Sequence, residues 1–444
     1  MKHVILALLF MAASWYLGTQ VQQHQFPQIL GGFVFLSVLG LWMYREAGER
    51  RQVLFWVAIG LAARAVLLFS EPQLSDDYFR FIWDGRLAIQ GIHPFAALPS
   101  EYAAQGFPAS GLDAALYAQL NSPDYHTVYP PVAQAVFAVA CYIFPDSIAG
   151  SVFVMKLFLW FMELGTCWLL WRLLMYWQLP LRNLLLYALH PLAIIEITGN
   201  LHFEGAMIFF FLLALWWAVR GRMALSAAGL ALSFASKMLS LLALPFLLRI
   251  LGWKRTLLYG LVFAGVTALL FAPLIDLEVL RHFGASLNLY FRQFEFNASV
   301  YYIARWVGYE ISGHNRIAYI GPALAAVAAL SMLAIALWPR RNELKQWPGF
   351  LLAAITIYLF LGTTVHPWYL CLPLALSVLC RYKYAALWAF VAVLSYHKYA
   401  TPDQEERLWV TAIEYLIVIG MMLWEWRRHR ISAASERART LAGN

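Results

Sequence analysis

Asp76 and Asp77, with Arg80 and Asp84 close behind, make the densest polar patch in a chain that is otherwise largely apolar. Carboxylates at the edge of hydrocarbon are costly to keep, so an adjacent pair there points to a site. On a helix, Asp77, Arg80 and Asp84 fall at i, i+3 and i+7, roughly one face. One reading is a general base at a membrane boundary. The other is a helix start, with Asp76 or Asp77 as N-cap and Arg80–Asp84 as a surface pair.

Five further groups could join that pair. Tyr129-Pro130-Pro131 opens an apolar stretch, where prolines start a helix cheaply. Glu196, Asn200, His202 and Glu204 cluster at one end of a span, with Glu196 and Asn200 at i, i+4 if the helix continues. Lys237 stands alone between two apolar halves, and an ammonium at that depth needs an anion. Glu295, Phe296 and Asn297 lie near Arg292, either as part of a site or as an interfacial helix with a surface ion pair. His366-Pro367-Trp368-Tyr369 forms a turn whose imidazole either meets a phosphate, moves a proton or is buried and hydrogen-bonded. The acidic set has no firm metal-ligand spacing, so no metal ligand is assigned and a divalent cation stays open as a cofactor. A carboxylate base facing cations suits group transfer from a lipid phosphate. That leaving group is already an anion and needs no proton, so one base and one cationic clamp suffice. A glycosidase would need a second carboxyl group as acid.

The elements that must hold these groups are membrane helices. The chain of 444 residues is 62% hydrophobic and 13% charged, against about 25% charged in soluble domains. Its 19 Trp fit interfacial belts. The net charge of +8 comes from short Lys/Arg clusters between apolar runs, which argues against a nucleic-acid partner. Cys141, Cys167, Cys371 and Cys380 lie inside apolar runs without CxxC spacing and read as core residues. Apolar spans are expected near 4–19, 27–44, 53–70, 150–172, 183–198, 203–220, 254–274, 316–338, 348–364, 367–381, 383–398 and 408–426, with 224–251 as two short helices broken at Lys237. The total is 13 or 14 segments, all α-helical, and the first is expected to stay as an uncleaved helix.

The clusters Arg45/Arg50/Arg51, Arg220/Arg222, Lys254/Arg255, Arg340/Arg341/Lys345, Arg381/Lys383 and Arg427/Arg428/Arg430 put those loops inside. The loops Ser70–Tyr129, Gly199–Phe203, Asp276–Asn315, Thr363–Pro367 and Lys398–Arg407 then share the outer face, and Asp77, Glu196, Lys237, Arg292 and His366 all map to it. Arg172 and Arg182 fit only if 131–145 enters and leaves on that face. Residues 77–90 are expected as an amphipathic helix lying on the membrane, and Leu112–Leu120 as a second.

With these motifs in order, the chain resembles the GT-C superfamily of membrane glycosyltransferases, and especially bacterial polyprenyl-phosphate-mannose-dependent mannosyltransferases and the catalytic subunit of GPI mannosyltransferase I. The resemblance rests on Asp76-Asp77-Tyr78, Asp84, Gly91-Ile92-His93-Pro94-Phe95, Tyr129-Pro130-Pro131, Asn200-Leu201-His202-Phe203-Glu204, Phe296-Asn297 and His366-Pro367-Trp368-Tyr369. It runs from about residue 50 onward. Phe95 stands where such motifs carry Tyr, and an N-terminal hairpin, roughly 1–45, precedes the pattern.

The resemblance implies a catalytic domain over 46–426 with outer loops 70–130 and 275–315, and a cytoplasmic tail over 427–444. It implies an inverting transfer of mannose or another hexose or pentose from a polyprenyl-phosphate donor to a lipid or glycan acceptor, at the outer face of a bacterial inner membrane. Asp77 would be the base and Asp76 its neighbour. Lys237, Arg292 and His366 would sit on the phosphate side, and Arg80, Asp84, Tyr129, Glu196, His202, Glu204 and Asn297 would complete the substrate site. The alternative is a transporter or flippase of a lipid-linked sugar, which predicts internal repeats and polar residues near the midplane. Neither is visible in the sequence.

Overall fold

The computed structural model describes residues 1–274, 294–338 and 343–442, with side chains as far as residue 431. Among the described residues the chain is all-α, and its one β feature is an isolated bridge between Phe296 and Thr364. The long helices are α1 (Lys2–Thr19), α2 (Phe26–Glu46), α3 (Arg50–Ala65), α4 (Asp77–Ala88), α5 (Pro131–Ile143), α6 (Ile148–Tyr176), α7 (Glu204–Val219), α8 (Met223–Ser236), α9 (Trp253–Phe271), α10 (Val300–Ser312), α11 (Ile317–Leu337), α12 (Trp347–Leu361), α13 (Cys371–Leu379), α14 (Tyr384–Val391) and α15 (Leu408–Ala442).

Seven described helices are long and apolar enough to cross a membrane, and an eighth span arises if Leu181–Ala188 and Ala193–Gly199, bent by 55°, count together. Five shorter apolar helices accompany them. This is fewer full-length spans than hydropathy implies. The reason is local: the chain breaks at Lys237, at His190-Pro191 and at His366-Pro367, so several apolar runs become two short helices. The break at Lys237 falls where the sequence places it.

The two ends of the bundle differ. At one end the guanidinium of Arg50 lies over Trp171, Arg182 over Tyr44, and Arg172 and Arg220 both over Trp216. Helix α6 starts at the other end. Its Lys156 Nζ donates to the Leu67 carbonyl at 3.0 Å, and its Ser151 hydroxyl donates to the Phe144 carbonyl at 3.0 Å, at the close of α5. Helix α5 has 13 residues, about 20 Å, and cannot cross a hydrocarbon layer of about 30 Å. It therefore begins and ends near the same end of the bundle, and Arg172 and Arg182 fall with Arg50 and Arg220.

Helix α4 departs from expectation. It does not lie open on a surface: Tyr78 and Arg80–Leu87 are buried. It packs on α5 so closely that a Cβ at Gly85 would stand 2.6 Å from both the Phe137 carbonyl oxygen and Cys141 Sγ. Phe81 stacks on Phe137 at 4.5 Å. The Leu112–Leu120 stretch forms only a single turn, Ala114–Tyr117, capped by Asp113.

A buried network that the sequence reading did not single out ties α3, α6 and the bent pair together. Arg64 Nε donates to Glu163 Oε2 at 2.9 Å, and both side chains are fully buried. Arg64 Nη1 also donates to the Gly60 and Ala188 carbonyls, and the Tyr187 hydroxyl donates to Glu163 Oε1 at 2.6 Å. Removing one partner strands a buried charge, which costs about 3–5 kcal/mol, whereas replacing both with apolar residues costs far less. Arg64→Met should therefore lower the melting temperature in detergent sharply, and Arg64→Met with Glu163→Leu should regain much of the loss. A double variant no better than the single one would contradict this.

Candidate functional site

The N-terminus of α4 holds Asp76 and Asp77. Asp76 occupies the N-cap position, yet its side chain does not cap the helix, and the Asp77 N–H donates instead to the Ser75 hydroxyl at 3.4 Å. The two carboxylates turn instead to Asn121, whose Nδ2 donates to Asp76 Oδ1 at 2.7 Å and to Asp77 Oδ1 at 2.8 Å. The Tyr129 hydroxyl donates to the second oxygen, Asp77 Oδ2, at 3.3 Å. Burial first, and then the Asp77 charge, push the Tyr129 phenol well above its ordinary value, so it stays a donor. Asp76 still reaches the surface, but surrounding protein, and then the like charge of Asp77, raise its carboxyl above the usual range. Helix capping thus does not account for the pair.

Arg80 and Asp84 form a buried pair, not a surface one, with Arg80 Nε donating to Asp84 Oδ1 at 2.9 Å. The other Asp84 oxygen accepts from Gln134 Nε2 at 2.9 Å. Both oxygens are used and the side chain is fully buried, so Asp84 is a positioning group. Arg80 Nη1 donates to the Tyr125 carbonyl at 2.8 Å and fastens the 121–129 loop over the Asp pair. Arg80 Nη2 has no partner among the described residues. A cavity of about 210 Å³ lies here, lined by Asp77, Arg80, Asn121, Tyr125, Tyr129 and Phe294.

Lys237 sits at the C-terminal break of α8 with extended backbone. Its Nζ lies 3.0 Å from Glu204 Oε1 and 5.8 Å from the Tyr129 ring centroid, so Tyr129 stands between Lys237 and Asp77. Glu204 Oε2 has no partner among the described residues.

Glu196 lies in a π-helical turn, Ala193–Gly199, not in a continuing α-helix. Such turns recur at functional sites. Its oxygens accept from the Tyr396 hydroxyl at 2.7 Å and Asn200 Nδ2 at 3.2 Å, and the His202 Nδ1 lies 3.3 Å away. Glu196 is thus enclosed and aims His202. Leu201 holds φ +62°, an uncommon conformation for a bulky residue, at the sharp turn between them.

His202 begins a column of rings. It stacks on Trp368 at 3.9 Å, Trp368 on His366 at 4.4 Å, and His366 on Phe296 at 4.8 Å. His366 lies in the turn after α12 and feels the charges of Asp77, His202, Lys237 and Lys398. Burial dominates and pushes its imidazole down to about 3. Burial thus favours the neutral imidazole over the cation. Lys398 supplies a cation the sequence reading passed over, with Nζ 5.2 Å from the Phe296 ring centroid.

Asn297 is not brought to the Asp pair. Its Nδ2 donates to both oxygens of Glu414, and its carbonyl accepts from the Tyr415 hydroxyl, so it anchors the Phe296 strand segment to α15. Glu295 pairs with Arg305. Arg292 lies outside the described residues, as do Arg340 and Arg341. Among the described residues no three His, Cys, Asp or Glu side chains gather as a metal-holding group. Asn121, Tyr396 and Trp368 complete the site. Only Trp368 lies within a motif the sequence marked, and Asn121 sits in an irregular polar loop with no pattern to announce it.

The structure is a polytopic all-α helix bundle with a carboxylate pair at one end. Residues 5–252 match the model of the MptA_B family, described as the N-terminal domain of α-(1→6)-mannopyranosyltransferase. The chain belongs to this family of mannosyltransferases. The match takes in α1 and α2 as well as Asp76, Asp77, Tyr129, Glu196, His202, Glu204 and Lys237, while Asn297 and His366 lie beyond it. No curated protein matches the chain.

The site yields two predictions. An imidazole held near 3 does not titrate across the neutral range. A histidine NMR signal assigned by its loss in His366→Gln should stay unmoved there, and a titration near the ordinary value would contradict its burial. For Asp76, the folded carboxyl holds its proton more tightly than the unfolded one, so ionisation works against the fold as pH rises through that raised value. Asp76→Asn should therefore melt higher than wild type at neutral pH, and this gain should vanish at acid pH below the ordinary carboxylate range. A gain of the same size at both pH values would exclude this cause.

Proposed function

We propose that this enzyme transfers mannose from a polyprenyl-phosphate donor to a lipid or glycan acceptor, with Asp77 as general base. The observation that carries the reading is Asp77 itself. It lines the cavity, is free of capping, and is oriented by Tyr129 and Asn121, with Lys237 just beyond the Tyr129 ring.

The step balances without a co-reactant. Asp77 takes the acceptor hydroxyl proton, and that oxygen bonds to the anomeric carbon of the sugar. The bond from that carbon to the phosphate oxygen breaks on the opposite face, its electron pair leaving with the polyprenyl phosphate. Lys237 meets the departing charge, held in place by Glu204. Asp76 shares the Asn121 amide with Asp77, and neutral His366 and Trp368 offer flat faces to a sugar ring. The cavity is smaller than the roughly 300–1,000 Å³ that encloses a drug-sized ligand, which suits one sugar ring with the lipid tail outside. With the arginine-rich end in the cytoplasm, the site faces the periplasmic side of a bacterial inner membrane.

The test is polyprenyl phosphate released in proteoliposomes supplied with polyprenyl-phosphate mannose and acceptor. Asp77→Asn should lose activity by about 10²–10⁴-fold, the usual size of a base's contribution. Lys237→Met with Glu204→Gln, which leaves no stranded carboxylate, should slow release while the protein stays folded. Unchanged release in Asp77→Asn would move the base elsewhere.

A further inference from the structure

Another cavity, of about 710 Å³, lies away from the Asp pair. Helix α8 rises from Arg222 to Lys237, the chain returns through Met238–Leu251, and α9 starts again at Trp253, so this cavity sits at the arginine-rich end. It is lined by Arg249, Gly252, Trp253, Arg255 and Trp338, with Leu248 and Leu337 at its apolar side.

Arg249 is built in. Its Nη1 donates to the Ile335 carbonyl of α11 at 2.8 Å, and its guanidinium lies 4.6 Å from the Phe350 ring centroid. Its buried Nε has no partner among the described residues. Arg255 lines the cavity from the first turn of α9, and no side chain caps that helix start. Two guanidinium groups and an uncapped helix N-terminus favour a phosphate. Trp253 and Trp338 are largely exposed, as interfacial tryptophans are. Beyond them, α9 and α11 are the least buried of the long helices and turn Leu257, Leu261, Leu330 and Leu333 outwards.

We infer that this cavity holds the phosphate headgroup of an anionic membrane phospholipid, with its acyl chains along the outward faces of α9 and α11. Basic pockets between membrane helices near a cytoplasmic surface take such headgroups. The tryptophans and the leucine faces favour a lipid over a free phosphate, because a soluble anion uses neither. The site is independent of the Asp77 chemistry and shares no residue with it.

The test uses the full chain in detergent and native mass spectrometry with phosphatidylglycerol and phosphatidylcholine. The wild type should keep one phosphatidylglycerol per chain under washing that strips phosphatidylcholine. Arg255→Gln, an exposed change that leaves the fold intact, should weaken this retention by about tenfold, a single strong charge-assisted contact. Arg249→Gln should act in the same direction, and Arg222→Gln, an arginine at the same end but outside the cavity, should not. Equal retention in Arg255→Gln and Arg249→Gln, or equal loss in Arg222→Gln, would overturn the proposal. Displacement of the lipid by inorganic phosphate alone would overturn its lipid character.

Discussion

Hydrocarbon offers no partner to a bare N–H or C=O, so irregular backbone in a membrane protein survives only where protein or water can satisfy it. This chain concentrates its irregularity. The Ser70–Tyr129 loop, the π turn at Glu196, the break at Lys237 and the turn at His366 all meet at one end of the bundle. Each break is locked by polar bonds: Asn200 Oδ1 accepts from the Leu74 N–H at 3.2 Å, and Val365 N–H donates to the Phe296 carbonyl at 2.8 Å. The site is therefore a consequence of where helices are allowed to stop.

That constraint also explains the division of labour among the charged residues. Asp84, Glu196, Glu163 and Glu414 are fully buried with their oxygens occupied by donors, and serve as fixtures. Asp77 differs because its partners hold it at the edge of a cavity. In the proposed mechanism Tyr129 links the two halves of the chemistry, donating to Asp77 while its ring faces Lys237. Moving α4 relative to α5 would break this link, and the tight contact at Gly85 prevents it.

Much of this was legible in the sequence. Apolar runs gave the helical membrane class, and charge clusters gave the common end of the bundle for Asp77, Glu196, Lys237 and His366. The break at Lys237 could be read because a lone ammonium interrupts an apolar run. Other features were not legible. Arg64 and Glu163 are 99 positions apart, and nothing local reports their pairing. Asn121 lies in an irregular loop. Residues 77–90 read as a surface helix because an alternation of apolar and polar residues looks the same whether the polar side meets water or, as for Arg80 and Asp84, a buried network. The charge state of His366 depends on burial, which no spacing encodes.

The proposed reaction is a single displacement in which Asp77 activates the acceptor and the phosphate leaves from the opposite face. The most direct measurement is the anomeric configuration of the mannosyl bond formed in proteoliposomes, set by NMR against that of the polyprenyl-phosphate donor. Inversion is the expected result. Retention would require a covalent glycosyl-enzyme intermediate, and would contradict the role assigned to Asp77.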